Sequence, residues 1–251
     1  MTKIPVLCFH KISDDFEWGI TTYPTTWFKE LVYTLVNSGY EFCLPENAKE
    51  KKKPIIITFD DAYLSVYENA IPILSDYGIP FILFPVAGYL GKDNTWDVNL
   101  GGIRIKHLDE KQISACLKKN GKLGNHSLTH RSYSLLSKTE CINETNLSQE
   151  IFQDKFGIKP PYFAPPFGVD IDNIECFNDF TYKFILDEKA WDGYNFIIPR
   201  FAVYRYESPA MVIKKITSGK GLRTIARVIH WGAKATIMYQ KIQGNYNVHT
   251  T

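Results

Sequence analysis

The sequence predicts an α/β fold: a parallel sheet of about seven strands wrapped by helices, either open and doubly wound or closed into a barrel. Two observations carry this. Seven short apolar runs bounded by turn residues recur along the 251 residues, and several of them, "PIIITF" and "IPFILFPV" foremost, are apolar without alternation. Such runs mark strands buried on both faces, as in a parallel sheet with helices around it. Between the runs lie segments of helical length with helical periodicity. A chain of this length can carry the whole fold as one domain. Residues 1–251 are therefore expected to form a single domain, with a basic helical segment at about 208–251.

In chain order, Ile4 to His10 is the first strand. "TTWFKELVYTLVNSG" follows as a helix, with Thr25 or Thr26 at its N-cap, Phe28, Leu31, Val32 and Leu35 on one face, and Gly39 as its stop. The second strand is Ile55 to Asp61. It leads into "YLSVYENAIPILSDYG", a helix that Pro72 should kink or break before Gly78 ends it. Pro80 to Val86 is the third strand, and "LDEKQISACLKKNG" is a helix with acids in its first turn and lysines in its last, an order that suits the helix dipole. Lys122 to His126, Tyr162 to Phe167, Lys183 to Asp187 and Phe196 to Val203 complete the strands.

The composition, 45% hydrophobic and 22% charged, is that of an ordinary globular protein and excludes disordered and fibrous classes. Five single cysteines without a CxxC pair suit reduced thiols in a cytosol. The start, "MTKIPVLCFH", has too short an apolar run for a secretion signal, and no apolar stretch is long enough to span a membrane, so a cytoplasmic location is expected. Seven of the 29 basic residues follow Glu207, and none of the 27 acidic ones does. This tail is drawn either as an outer helix of the fold or as a basic amphipathic helix lying on an anionic membrane surface. No nucleic-acid partner is expected.

The polar residues that matter sit at strand ends, the rim where active sites of such folds form. "IIITFDD" ends in Asp60 and Asp61, "LGNHSLTH" carries His126 and His130, and "YFAPPFG" ends in Phe167 and Gly168. Two histidines four apart can reach one ion, and a carboxylate would complete a three-ligand site for zinc or a similar divalent metal. Adjacent carboxylates need different roles, since like charges side by side repel. If Asp61 ligates the ion, Asp60 remains to take a proton from the attacking water. His10 ends the first strand on the same rim, and Trp96 and Trp191 lie in loops where an indole could offer a stacking platform to a ligand.

"ITFDDAYLSVYENAIPILSDYGIP", "GNHSLTHRSYSLLS" and "FAPPFG" together resemble the first three motifs of the polysaccharide deacetylases, carbohydrate esterase family four, over roughly residues 4–205. The resemblance implies a distorted (β/α) barrel and metal-dependent removal of acetyl groups from N-acetylated sugars. It also implies Asp60 as general base, Asp61, His126 and His130 as ligands of one divalent ion, most simply zinc, and the Phe167 backbone N–H as oxyanion donor. Ala164 stands where many members carry an arginine that braces the base, and Arg200 in "IPRF" is the candidate replacement. The general acid is unassigned: the late histidines His230 and His249 are not on a strand end, whereas His10 is. The expected partner is an N-acetylated glycan or a lipid-linked saccharide, the latter placing the chain at the inner face of the membrane. A same-fold amidase for another C–N amide, or a carbohydrate-binding protein without turnover, are the alternatives.

Overall fold

The computed structural model describes residues 3–17, 20–96, 104–168, 174–177 and 179–219. Seven strands close into a parallel barrel: β1 (Val6–Phe9), β5 (Pro54–Asp61), β6 (Phe81–Pro85), β7 (Gly121–Asn125), β8 (Tyr162–Phe163), β9 (Tyr182–Leu186) and β10 (Ile197–Ala202). Neighbours follow that order, and β10 pairs back onto β1, with Leu7 opposite Phe201. β4 (Glu41–Phe42) extends the foot of β5, while β2 (Lys11–Ile12) and β3 (Thr22–Tyr23) form a small ribbon beside the rim. The expected α/β barrel of seven parallel strands is thus present, and all seven apolar runs are strands.

Alternation along each strand divides the core in two. Val6, Ile56, Ile82, Phe84, Phe184 and Ile198 pack inside the barrel. Leu7, Ile57, Phe59, Leu83 and Phe201 pack outward against the helices. Gly124 has no side chain because the Phe84 ring fills its place: a Cβ there would lie 2.3 Å from that ring.

The helices are α1 (Thr25–Asn37), α2 (Ile71–Asp76), α3 (Glu110–Leu117), α4 (Lys138–Phe156) and α5 (Pro209–Ser218). α1 starts at Pro24 rather than at a threonine cap. Pro72 lies in the first turn of α2, where its missing N–H leaves no bond unmade, and a π turn at Val66–Ala70 absorbs the break. α3 and α4 open with capping boxes, Asp109 with Gln112 and Ser137 with Glu140. No helix among the described residues is long and apolar enough to cross a membrane. α5 accounts for the start of the expected basic tail. Residues 220–251, with the amphipathic stretch from Leu222 and with His230 and His249, lie outside the described residues.

A buried charge cluster ties α5 to the β9–β10 connection. Lys215 Nζ donates to Glu207 Oε2 and to the Ala202 carbonyl, both at 2.7 Å, and Glu188 Oε1 accepts the Ala202 N–H at 3.0 Å. Burial pushes the Glu188 carboxyl up to about 7, although Lys215 pulls the other way. Its folded pKa is raised, so the stability it contributes is complete below the ordinary glutamate range and is lost as pH rises through about 7. The difference between the two states amounts to about 3 kcal/mol. Glu188→Gln, which keeps the acceptor and cannot ionise, should therefore melt higher than the wild type at pH 8 and converge with it near pH 4.5. Equal melting shifts at both pH values would refute this account.

Candidate active site

The inward series of three strands turns polar at the top of the barrel. Two residues beyond Val6 is Cys8, with His10 after it; beyond Ile56 come Thr58 and Asp60; beyond Ile198 comes Arg200. Arg200 is fully buried, flanked by the Phe84 and Phe184 rings at 5.5 and 5.9 Å. Its guanidinium grips Asp60 with two prongs, Nη1 to Oδ1 at 2.6 Å and Nη2 to Oδ2 at 2.8 Å, and Nη1 also reaches Thr58 Oγ1 at 3.2 Å. The Cys8 thiol donates to Asp60 Oδ2 at 3.3 Å. Burial alone would raise the Asp60 pKa, but the Arg200 charge and hydrogen bonds, together with the His126 and His10 rings, hold the carboxyl below its usual range. Cys8 stays a thiol, because burial pushes its pKa well up.

Asp61 leaves the strand in a left-handed conformation, φ 64°, followed by Ala62 at φ 53°. This turn lets two consecutive carboxylates serve one cavity although strand neighbours ordinarily face opposite ways. Asp61 Oδ1 lies 3.4 Å from His126 Nε2 and 3.2 Å from His130 Nε2. All three residues are buried, and their candidate ligand atoms lie within 4.8 Å of one another. His126 Nδ1–H donates to the Ala164 carbonyl at 2.6 Å, which fixes the tautomer and leaves Nε2 as the free donor atom. Asp61 Oδ1 is buried without a well-formed hydrogen bond. Burial works against the Asp61 charge, yet the His130 and His126 rings hold its carboxyl well below the usual range. A buried carboxylate oxygen facing two imidazole nitrogens is the donor set of one divalent transition ion, and the residues present fit it.

Cys8, His10 and Asp60 also come within 4.8 Å of one another. Both Asp60 oxygens are already committed to Arg200, so that group is organised around an ion pair rather than an ion. Phe167 takes φ 63°, and its ring meets that of His130 edge-on at 5.0 Å. The structure therefore gathers Asp60, Asp61, His126, His130, Arg200, His10 and Phe167 at one end of the barrel.

Two expectations need correction. Trp96 reaches this end but is buried, with its face stacked on the His130 ring at 3.5 Å, so that face is not an open platform for a sugar. Trp191 is at the opposite end of the barrel. It bridges to Ile4 at the foot of β1 and joins the interior core, because the β9–β10 connection must run down the barrel for β10 to start parallel to β9.

Three contributors were not singled out from the sequence. Cys8 and Thr58 share strand parity with His10 and Asp60, and that parity was the available signal. His107 donates from Nδ1 to the Asp61 carbonyl at 2.7 Å and stacks on Tyr63, bracing the left-handed turn from a loop with no periodic signal.

Comparisons with known proteins identify the family and the fold. The chain is 30% identical over 173 residues to a poly-β-1,6-N-acetyl-D-glucosamine N-deacetylase of Staphylococcus epidermidis, covering 63% of this chain and 57% of the relative. The chain thus spans little more than half the length of that curated relative. Among solved structures, IcaB from Ammonifex degensii superposes with a TM-score of 0.72 at 23% identity, over 86% of this chain and 97% of that one. Streptococcus pyogenes deacetylase PplD gives 0.73 at 18% identity, over 85% and 98%. These two likenesses establish the fold. The sequence model described as polysaccharide deacetylase matches residues 47–185, more than half of the chain, and the protein belongs to that family.

Proposed function

We propose that this protein is a metal-dependent hydrolase that removes N-acetyl groups from an amino-sugar unit of a polysaccharide or its biosynthetic precursor. The observation that carries the reading is a buried Asp61–His126–His130 donor set directly beside an Asp60 held ionised by Arg200. The substrate class follows from the family and from the named activity of the staphylococcal relative.

Asp61, His126 and His130 would hold the ion, most simply zinc. When bound, it supplies Lewis-acid activation of water and of the acetyl carbonyl. Asp60 accepts the proton of the attacking water, and Arg200 keeps it ionised and pointed at its task. The Phe167 N–H supports the oxyanion of the tetrahedral species. His10, adjacent to Asp60, delivers a proton to the departing nitrogen. The new C–O bond forms first, giving the tetrahedral species; its collapse breaks the C–N bond, and the products are acetate and a free amine.

Acetate release from an N-acetylglucosamine oligomer, measured on zinc-loaded and chelator-treated protein, tests the whole reading. Release that survives metal removal refutes it, and glycan binding with neither metal nor acetate would favour a non-catalytic binder. His10→Ala should lower kcat by about 10²–10⁴-fold with metal content unchanged, the usual contribution of a positioned acid. Wild-type kcat in that variant removes His10 from the mechanism.

A further inference from the structure

Helix α4 buries a face that is mostly polar. Between Cys141 and Phe152, its inward residues are Glu144, Thr145, Ser148 and Gln149. Burying such groups is unfavourable unless their partners are in place, and apolar residues would pack the same helix at less cost. The partners of two of them lie in the turn that carries the histidines. Glu144 Oε2 accepts the N–H groups of Leu128 at 3.0 Å and Thr129 at 2.9 Å, and its other oxygen accepts the Thr129 hydroxyl. One helical turn on, Ser148 Oγ accepts from Asn125 Nδ2 at 2.8 Å, and its one proton is shared between the Thr145 carbonyl at 2.8 Å and Asn125 Oδ1 at 3.1 Å.

Residues four apart share one side of a helix, so Glu144 and Ser148 hold the turn at two places, just before His126 and between His126 and His130. Within the turn, Asn125 Oδ1 accepts the Ser127 N–H at 2.9 Å, and Ser127 Oγ accepts the His130 N–H at 3.0 Å. The turn needs this support. Ser127 at φ 71° and His130 at φ 58° are left-handed non-glycine residues, a conformation that persists only where the surroundings over-determine it.

From this geometry we infer that Glu144 is the positioning residue that sets the spacing of His126 and His130 for metal binding, acting through the main chain of residues 128 and 129. The inference rests on the metal reading above and names the part of the fold that pre-forms the site. It also explains the polar inner face of α4: the helix serves as a template for the turn.

The test compares Glu144→Ala and Glu144→Gln with Thr145→Val. Thr145 is a buried neighbour on the same helix whose hydroxyl, among the described residues, bonds to carbonyls of that helix alone. Two quantities are read: the dissociation constant and visible spectrum of the Co²⁺-loaded protein, and hydrogen exchange of residues 124–130 in the metal-free protein. Glu144→Ala should weaken Co²⁺ binding about 10–100-fold, the range seen when a residue supporting a ligand is lost, and alter the cobalt spectrum. Glu144→Gln, which keeps one acceptor, should lose less, and it carries the test if the alanine variant does not fold. Both should speed exchange in the turn, and Thr145→Val should do neither. Wild-type affinity and exchange in the Glu144 variants, or an equal loss in Thr145→Val, overturns the inference. Failure of the wild type to take up any divalent ion sinks the metal reading instead, and exchange in the turn still decides the role of Glu144.

Discussion

Arg200→Met is expected to lower kcat/KM for deacetylation at pH 7 by at least about 100-fold, the scale of a general base put out of action, with metal content unchanged. Among the described residues the guanidinium is the one Lys or Arg side chain paired with Asp60, and it meets both carboxylate oxygens. Removing one partner of a buried ion pair leaves an uncompensated charge, at a cost of about 3–5 kcal/mol. The carboxyl answers by taking a proton. In the wild type the Asp60 pKa lies below its usual range, because Arg200 and the nearby His126 and His10 rings together offset burial, so the base is ionised throughout the neutral range. Without Arg200, burial prevails and the pKa rises. The acidic limb of the pH–rate profile should therefore move to higher pH, with part of the lost activity returning in alkaline buffer. Arg200→Lys separates charge from shape: an ammonium restores some of the limb, yet it cannot make the two-pronged contact that aims the carboxylate. A Met variant with an unmoved limb and wild-type kcat/KM would falsify the assignment.

The placement of Arg200 also shows where sequence reading reached and where it stopped. The barrel strands were legible because each is buried on both faces and so reads as an apolar run. Arg200 lies two residues past Ile198 in such a run, and strand parity alone points it inward. The same parity would have found Cys8 and Thr58, which looked like a small hydrophobe and an ordinary strand residue. α4 carried no apolar stripe to read, because between Cys141 and Phe152 its buried face is glutamate, threonine, serine and glutamine. Trp191 was misplaced because the β9–β10 connection crosses from rim to foot without a described helix to signal the descent. What escaped the sequence was therefore set by tertiary partners: polar residues whose burial makes sense only once the turn they hold is in view.

The largest contrast is expected between neighbouring residues. Asp60→Asn should retain the metal and lose about 10³-fold or more in kcat, whereas Asp61→Asn should lose both the metal and turnover. The two side chains are chemically identical and adjacent, so composition and local charge cannot distinguish them. Their partners do. Asp60 keeps the inward strand direction and meets a guanidinium that fills both its oxygens, leaving it a base rather than a ligand. Asp61, turned by its left-handed backbone, meets two imidazole nitrogens and, among the described residues, no lysine or arginine, so an ion is what its charge is arranged to receive. Asparagine preserves shape at either position and removes the negative charge, which isolates that difference. The measurement is zinc per chain after dialysis against a buffered zinc concentration, paired with acetate release for each variant. Equal metal loss in both would mean that the carboxylates share the ion, and the division of labour between ligand and base would have to be abandoned. Retention of metal in Asp61→Asn would move the ligand role elsewhere and leave the left-handed turn at residues 61 and 62 without a chemical reason.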